Sequence, residues 1–506
     1  MSTHDRNAIE EAPRHELHDP PKPKRTPLPK FQLFIVFLIQ FTEPVTAMVI
    51  YPFINQFVRD TGITGGDERK TGYYAGVIES VFFFAEALTA FQWGRMSDKY
   101  GRRPVLLLGP LGLSIVMLTF GLSNNFWSLV VSRCMQGVFN GNIGVSKSVL
   151  GEITDSTNVA DAYALMPLNW SFGSTIGQVD MITACSHSNI FFRPILGGIL
   201  SQPAKSWPDL FGKIAFFHQY PYFLPCAIAG LIAGVSGLTA SVGLKETLPS
   251  AVNEEKKRRT AATQSATPDA TTGLLSSHDN SGYAAIEANV PEPPNPEARP
   301  PLRNLFVRPV LMTLLTYAVF VFTDMCIHVL QPLVFSTSIS LGGLGFDPYR
   351  IGTIMGVWGV TNAFLMLTFL GRIIRRFGPR NIHKFAMLSY AIVLALYPFL
   401  RFFARRAGKA DGFVWAIIVI QRAFAMVNNA AYEAAPNKAS LGATNGLAQT
   451  VGSVMRSIAP SVASSLFSAS LQQQLAGGNM VFLVLVGVAL TGLRLSFLLP
   501  APKSDS

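Results

Sequence analysis

A ten-residue basic turn occurs twice in this chain, each time between two long apolar segments. The first copy is Gly94–Arg103 (GRMSDKYGRR) and the second is Gly371–Arg380 (GRIIRRFGPR), with two glycines and two arginines at matching positions. Several apolar runs extend for about 20 residues, the length that crosses a bilayer core of about 30 Å. A repeated turn with such flanks predicts two related membrane halves, which is the architecture of a secondary transporter.

The composition agrees with a protein that lies in a lipid bilayer. Hydrophobic residues make up 49% of the chain and charged residues 14%, whereas about 25% of residues are charged in an average soluble domain. The net charge of +11 would attract nucleic acid, but the basic residues cluster beside apolar runs, a pattern that fits topology determination better. We therefore expect a polytopic membrane protein that is monomeric and does not bind nucleic acid.

The apolar runs predict an all-α fold of twelve membrane-spanning helices, arranged as two pseudo-symmetric bundles of six. Numbered in chain order as spans 1 to 12, they lie near residues 31–57, 72–93, 104–122, 126–148, 163–200 (interrupted), 220–243, 309–334, 350–371, 382–402, 412–434, 442–468 and 478–499. The predicted domains are a tail (1–30), an N-terminal bundle (31–243), a linker (244–308), a C-terminal bundle (309–499) and a second tail (500–506). Because the first tail and the linker are polar and rich in proline, we expect both to be disordered.

The distribution of Lys and Arg predicts the orientation. Six of these residues precede position 31, four lie in the 94–103 turn and five lie between 372 and 384. By the positive-inside rule both termini and the linker are cytoplasmic, with span 1 serving as the insertion signal. The basic residues between 401 and 409 disagree, because they would face the other side. The membrane itself, plasma or vacuolar, is left open.

The first copy of the turn resembles the signature between helices 2 and 3 of the major facilitator superfamily. The matching positions are Gly94, Asp98, Gly101, Arg102 and Arg103. In that family the acid faces the N-terminal end of helix 11, here near Leu441, so the resemblance implies that Asp98 closes a cytoplasmic gate; a solvated loop charge is the alternative. The second copy has Arg375 instead and cannot make this contact. The two motif arginines either set topology or pair with Glu152, Asp155 or Glu246.

Spans 4 and 5 carry further motifs that resemble the same superfamily. Arg133-x-x-Gln136-Gly137 in span 4 resembles its proton-coupling motif. A glycine-rich pattern in span 5 resembles the motif of its antiporters, and its positions are Gly173, Gly177, Pro194, Gly197 and Gly198. Glu43-Pro44 and Lys245–Pro249 (KETLP) are similar to the zinc-induced facilitator-like branch and its fungal relatives, which belong to the 12-helix drug:proton antiporter type. The resemblance implies proton-driven export of small organic or ionic solutes.

Charged and polar residues inside the spans are the candidates for proton coupling, because a charge in the bilayer is costly and is usually functional. They are Glu43, Glu79, Arg133, Gln136, Asp324 and His328. Asp324 and His328 are four residues apart and share a helical face, and Glu79 and Glu86 are seven apart and also share one. The alternatives are a structural ion pair for Arg133, a buried hydrogen bond for Asp324 and simple solvation for Glu86.

Two arginines of the second half, Arg422 in span 10 and Arg456 in span 11, are candidates for lining the substrate cavity. Each could bind an anionic substrate group, or a pair with an acid could hold helices together. The sequence shows no P-loop, no nucleophile–base set and no metal-ligand cluster. We therefore expect that the protein is not an enzyme and holds no cofactor or metal. Transport is expected to be driven by an ion gradient.

Residues 178–192 (QVDMITACSHSNIFF) interrupt span 5 with a polar stretch. A lipid-facing helix would not accommodate it, because irregular backbone at membrane depth must be buried or line water. The stretch is either an extra loop beside the cavity or a gene-model artefact such as a retained intron, and we favour the artefact. The sequence thus predicts a proton-coupled exporter that works by alternating access, with a nutrient symporter, a facilitator or a non-transporting sensor as alternatives.

Overall fold

A computed structural model describes residues 26–155, 157–166, 169, 172–173, 200–248, 308–434 and 442–498. The regular structure of these residues is helical. The longer helices are Lys30–Met48, Thr71–Tyr100, Arg102–Gly121, Phe126–Asn140, Ile143–Glu152, Phe223–Gly243, Arg308–Ser336, Pro348–Ala407, Gly412–Ala434, Gly442–Gln472 and Met480–Phe497. They coincide with every predicted span except span 5, of which only 163–166, 169, 172–173 and 200 are described.

Within the described residues, seven helices are long and apolar enough to cross a membrane, at spans 1, 2, 3, 6, 7, 9 and 12. Spans 4, 8, 10 and 11 are helical too but shorter or more polar. Spans 4 and 11 have a lower mean hydropathy because they carry polar side chains that face the interior of a bundle, and these take the place of apolar residues.

Spans 1, 4, 8 and 9 differ in detail from the prediction. The helix of span 1 ends at Met48, and the rest of the predicted span lies in a turn and in the separate helix Ile54–Asp60. Span 4 is two helices rather than one, with a break at Gly141 and Asn142 between Phe126–Asn140 and Ile143–Glu152. Spans 8 and 9 follow each other almost without a loop, because Pro348–Ala407 is interrupted only at Gly378. Short additional helices, including Ile54–Asp60, lie at the ends of the spans.

The sequence repeat is also a structural repeat. Gly101 has φ 100° and ψ 158°, and Gly378 at the matching position has φ 69° and ψ 154°; this region is accessible essentially to glycine alone. The last arginine of each copy caps the end of its own half. Arg103 Nη2 donates to the Ser241 carbonyl at the end of span 6 (2.6 Å), and Arg380 Nη2 donates to the Phe497 carbonyl at the end of span 12 (3.0 Å).

The two halves meet through small residues of spans 2 and 11. A Cβ added to Gly76 would lie 1.8 Å from Ser464 Oγ and 2.9 Å from the Pro460 carbonyl oxygen. Ser461 Oγ also contacts Ser80 Oγ at 2.8 Å. Glycine and serine let membrane helices approach this closely. Hydrogen bonds of Arg59 with Ser336, of Glu68 with Ser338 and of Ser461 with Gly76 and Ser80 join the two halves at the end of the bundle opposite the 94–103 turn.

Part of the predicted N-terminal tail is docked on the first bundle. Thr26 Oγ1 hydrogen-bonds to the Asp155 carboxylate, and the Thr26 backbone N–H donates to Thr157 Oγ1 at 3.1 Å. Leu28 packs against a small apolar cluster that contains Leu150. Asp155 is therefore engaged by the tail segment rather than by the motif arginines.

Candidate functional site

The two most deeply buried charges of the described N-terminal half form an ion pair. Arg133 is fully buried and Glu79 is 2% exposed, and Arg133 Nη2 lies 2.9 Å from Glu79 Oε2. Arg133 Nη1 donates to Gln136 Oε1 at 2.6 Å, while Gln136 Nε2 donates to the Thr46 carbonyl at 2.9 Å. This chain of contacts joins spans 4, 2 and 1. Leaving either charge alone here would be costly, because a buried charge needs a partner.

The ion pair retains unused hydrogen-bonding capacity. Within the described residues, Glu79 Oε1 and Arg133 Nε have no hydrogen-bond partner. The Arg133 guanidinium carbon lies 4.3 Å from the centroid of the Phe82 ring, so a cation–π contact takes the place of further hydrogen bonds. A carboxylate with one free oxygen can accept a proton without first losing another hydrogen bond.

A second group of charges lies where both halves approach each other. Glu43 of span 1 and Glu86 of span 2 interact electrostatically with Lys147 of span 4 and Arg456 of span 11. All four side chains are half-buried. When both carboxylates are ionised, the two acids and two cations give this central cluster a net charge of zero. Glu86 is thus part of the cluster rather than a simply solvated residue near the helix end.

A small polar cavity adjoins Glu43. It has a volume of about 10 Å³ and is lined in part by Glu43, Asn140, Asn142 and Ser146. Glu43 Oε2, Asn140 Nδ2 and Asn142 Nδ2 have no hydrogen-bond partner within the described part of the chain. A cavity of about this volume with several polar partners can hold one water molecule. Such a water would connect the Glu43 carboxylate to the amides of span 4.

The acid of span 7 has a different environment. Asp324 Oδ1 accepts a hydrogen bond from the Tyr390 hydroxyl at 2.7 Å, and His328 Nε2 lies 3.8 Å from the same oxygen. The His328 side chain is 43% exposed. The predicted face shared by Asp324 and His328 is therefore present, and Tyr390 of span 9 completes a three-residue polar group in the second half.

The two candidate cavity arginines are placed differently. Arg456 faces the acids of the first half, as described above. The Arg422 guanidinium carbon lies 5.6 Å from the centroid of the Trp358 ring, and its Nε has no hydrogen-bond partner among the described residues. Stacking on an aromatic face stabilises a guanidinium ion without a carboxylate.

The predicted gating turn is held together by carboxylates of its own half. Arg102 Nη1 lies 2.6 Å from Asp98 Oδ1, and Arg102 Nη2 lies 2.9 Å from Glu152 Oε1. The Asp98 side chain is 67% exposed. The N-terminal end of span 11 that it is predicted to face includes residues 441–447, whose side chains are outside the described set, so the gate stays a prediction.

Glu246, which follows span 6, clamps the start of span 3. Its carboxylate accepts hydrogen bonds from the backbone N–H groups of Arg102 (2.9 Å) and Arg103 (3.0 Å). It also accepts bonds from the N–H groups of Thr247 and Leu248. Partial burial disfavours the ionised form, but these hydrogen bonds outweigh it and lower the pKa of Glu246 below the usual value.

The structure describes only part of the span 5 motif. A Cβ added to Gly173 would lie 2.4 Å from Pro44 Cγ, so this glycine packs closely against the Glu43-Pro44 segment. The other positions, Gly177, Pro194, Gly197 and Gly198, and the stretch 178–192 lie outside the described residues. Within the described residues, no group of three or more His, Cys, Asp or Glu side chains is arranged to hold a metal ion.

The sequence contains a signal for the central cluster that the predictions did not use. Arg133, Asn140 and Lys147 are spaced seven apart along span 4, as Glu79 and Glu86 are along span 2. Residues seven apart share a helical face. Two such stripes of opposite charge on packed helices predict pairing between them, which brings in Asn140 and Lys147. Tyr390 had no comparable signal.

Comparison with known proteins identifies the family. The model of the Major Facilitator Superfamily matches residues 36–460. The chain belongs to the major facilitator superfamily. It is therefore an integral, multi-pass membrane protein and a secondary transporter, as the repeated turn and the motifs predicted.

Three relatives narrow the family membership. The major facilitator-type transporter psiT2 of Psilocybe cyanescens is 32% identical over 92% of this chain and 89% of its own. The major facilitator superfamily multidrug transporter mfsB of Aspergillus fumigatus is 27% identical over 91% and 82%. Protein ZINC INDUCED FACILITATOR-LIKE 1 of Arabidopsis thaliana is 27% identical over 95% and 93%. The predicted resemblance to the zinc-induced facilitator-like branch and its fungal relatives is confirmed.

Proposed function

We propose that this transporter exports small organic or ionic solutes in exchange for protons. The observation that carries the proposal is the neutral central cluster of Glu43, Glu86, Lys147 and Arg456, which adjoins the cavity beside Glu43. The span 4 motif resembles a proton-coupling motif and the span 5 motif resembles that of antiporters, which supports exchange with protons. The multidrug relative supports small organic solutes.

The charge balance of the central cluster supplies a mechanism for exchange. One proton on Glu43 or Glu86 changes its net charge from zero to +1, and a bound cationic solute does the same. Because repulsion disfavours a second added positive charge, proton and solute compete for one site. Alternate access of that site to the two sides of the membrane then links their flows in opposite directions.

The buried pair is proposed to sense this change of charge. Glu86 interacts electrostatically with Arg133 as well as with the cations of the central cluster, and Arg133 in turn holds Glu79. Protonation in the central cluster thus alters the field at Arg133 and its contacts with spans 1 and 2. The Asp324–Tyr390–His328 group is the corresponding candidate in the second half.

We further propose that both termini and the 94–103 turn are cytoplasmic, in the plasma or the vacuolar membrane. In that orientation the contact of Gly76 with span 11 closes the non-cytoplasmic side, and the conformation faces inward. Substituted cysteines at exposed positions on each side test the orientation. Arg69 and Lys99 are suitable positions, because they lie at opposite ends of span 2. In the plasma membrane of whole cells, labelling of position 69 but not 99 by an impermeant reagent supports this orientation. On isolated vacuoles, whose outer face is cytoplasmic, labelling of position 99 but not 69 supports it, and the opposite pattern in either case reverses it.

The function itself is tested in two steps. Solute loss from cells with and without the protein first identifies a transported solute. Vesicles containing Glu43→Gln, Glu79→Gln or Asp324→Asn are then compared for proton-driven transport and for solute counterflow. A coupling residue is expected to lose proton-driven transport but keep counterflow. The control is Asp209→Asn, an exposed acid outside the long helices.

Two outcomes would contradict the proposal. If these three variants and Glu86→Gln all keep full proton-driven transport, the carboxylates do not couple proton flow. If the unmodified protein moves its solute equally well with and without an imposed proton gradient, facilitated diffusion replaces antiport.

A further inference from the structure

A basic cleft lies at the end of span 9, far from the central cluster. It has a volume of about 350 Å³. Its lining residues are Pro398, Arg401, Phe402, Arg405, Arg406 and Asn479. Three arginines and no acid line it. It contains three of the basic residues that conflict with the positive-inside rule.

Arg401 is a buried cation that pairs with no carboxylate among the described residues; its guanidinium carbon lies 5.7 Å from the centroid of the Phe482 ring. The side chain is 2% exposed. Nε donates to the Gly342 carbonyl at 2.7 Å, and Nη1 donates to Asn479 Oδ1 at 2.6 Å. The remaining acceptors are the carbonyls of Gly478 and Leu341. All these acceptors are neutral, whereas buried charges in proteins are usually paired with an opposite charge.

A second guanidinium group converges on the first. A single point, the Cβ position of an alanine built at Gly342, lies 2.6 Å from Arg401 Nη2 and 2.8 Å from Arg405 Nη2. Arg401 and Arg405 also repel each other electrostatically. In the described part of the chain, no carboxylate forms an ion pair with Arg401, Arg405 or Arg406. Two guanidinium groups this close, with no acid beside them, attract an anion to the cleft that they line.

We propose that this cleft binds a phosphate-type oxyanion, supplied by the headgroup of an anionic phospholipid. Because Arg401 donates to loop carbonyls and Asn479, the paired N–H donors for phosphate oxygens come from the exposed guanidinium groups of Arg405 and Arg406. A lipid source is favoured by the apolar surface beside the arginines, since Phe402 in the cleft and the nearby Phe399 and Phe413 are all exposed. Exposed Phe side chains on a membrane-spanning helix contact lipid, and arginines near the end of such a helix extend toward the interface, where headgroups lie.

The test uses the full-length protein in detergent and compares three ligands by native mass spectrometry and thermal shift. They are the anionic lipid phosphatidylglycerol, the zwitterionic lipid phosphatidylcholine, and inorganic phosphate. The variant is the double substitution Arg405→Gln/Arg406→Gln, because both side chains are exposed and their loss should leave folding intact. The matched control is Arg69→Gln/Lys70→Gln, which also removes two exposed positive charges at the same end of the bundle.

The unmodified protein and the control are expected to bind phosphatidylglycerol more tightly than phosphatidylcholine. The cleft variant is expected to lose about tenfold in affinity for phosphatidylglycerol, the usual effect of removing charge-assisted hydrogen bonds. Cleft-dependent binding of inorganic phosphate instead would support the oxyanion site but make a free anion its source. The proposal would be overturned if the variant and the control bound phosphatidylglycerol equally well. It would also be overturned if the unmodified protein bound neither phosphatidylglycerol nor inorganic phosphate more tightly than phosphatidylcholine.

Discussion

Gly76→Ala is expected to shift the transporter away from the conformation described here. The added carbon would lie 1.8 Å from Ser464 Oγ and 2.9 Å from the Pro460 carbonyl oxygen. Ser464 cannot simply turn aside without loss, because its hydroxyl donates to the same Pro460 carbonyl at 2.5 Å. Spans 2 and 11 must therefore separate. Such overpacking costs about 1–3 kcal/mol, which corresponds to a shift of about 5- to 150-fold in the equilibrium between conformations.

The shift can be measured as a distance. Spin labels on cysteines at Arg69 and Ser340, which are both exposed, report separation of the two halves at this end. Gly76→Ala should deplete the short-distance population and slow transport. Gly487→Ala is the control, because a Cβ there meets no atom within 4 Å. The additional substitution Ser464→Gly should restore much of the short-distance population. An unchanged distance distribution in Gly76→Ala would refute the reasoning.

Three further predictions concern other parts of the molecule. Asp98→Asn should leave membrane insertion intact but strongly reduce transport, since its exposed pair with Arg102 adds less than about 1 kcal/mol of stability whereas the predicted gate needs the charge; unchanged transport and accessibility would contradict the gate. Because hydrogen bonds hold the pKa of Glu246 below the usual value of a glutamate, its contribution to stability is present above the unfolded-state pKa and is lost as the pH falls through the lowered one. Glu246→Gln should therefore lower the melting temperature at about pH 7 more than at about pH 3, and equal effects at both would argue against the clamp. Deletion of 178–192 should be tolerated or improve expression; if every mature transcript encodes the stretch and its deletion abolishes transport, the artefact interpretation is wrong.

The sequence predicted those features that depend on local physical constraints. Apolar runs of membrane length predicted the spans, and the matching glycines predicted matching turns. The turns were predictable because a backbone with φ near 100° at Gly101 and 69° at Gly378 excludes residues with a Cβ. The break of span 4 at Gly141 and Asn142 was missed, since neither residue by itself ends a helix.

Side-chain partners were predicted less well, because they depend on how helices pack. Arg401 was interpreted only as a charge on the wrong side, whereas it binds carbonyls of two loops that are distant in sequence. Lys147 was not considered, although its spacing from Arg133 indicated it. The Tyr390 hydroxyl bonds to Asp324, which is 66 positions away in the sequence. The periodicity of a single helix cannot predict such a contact between two helices.

The arginine contacts at the ends of spans 6 and 12 have a mechanical consequence. Through Arg103 the hairpin of spans 2 and 3 is tied to the last helix of its own half, and through Arg380 the hairpin of spans 8 and 9 is tied in the same way. The start of span 3 is thereby linked to the end of span 6, and the start of span 9 to the end of span 12. Because the same link recurs in both halves, each pair of helices is expected to move as one unit. A change of conformation should then alter the contact between the halves and leave these pairs intact.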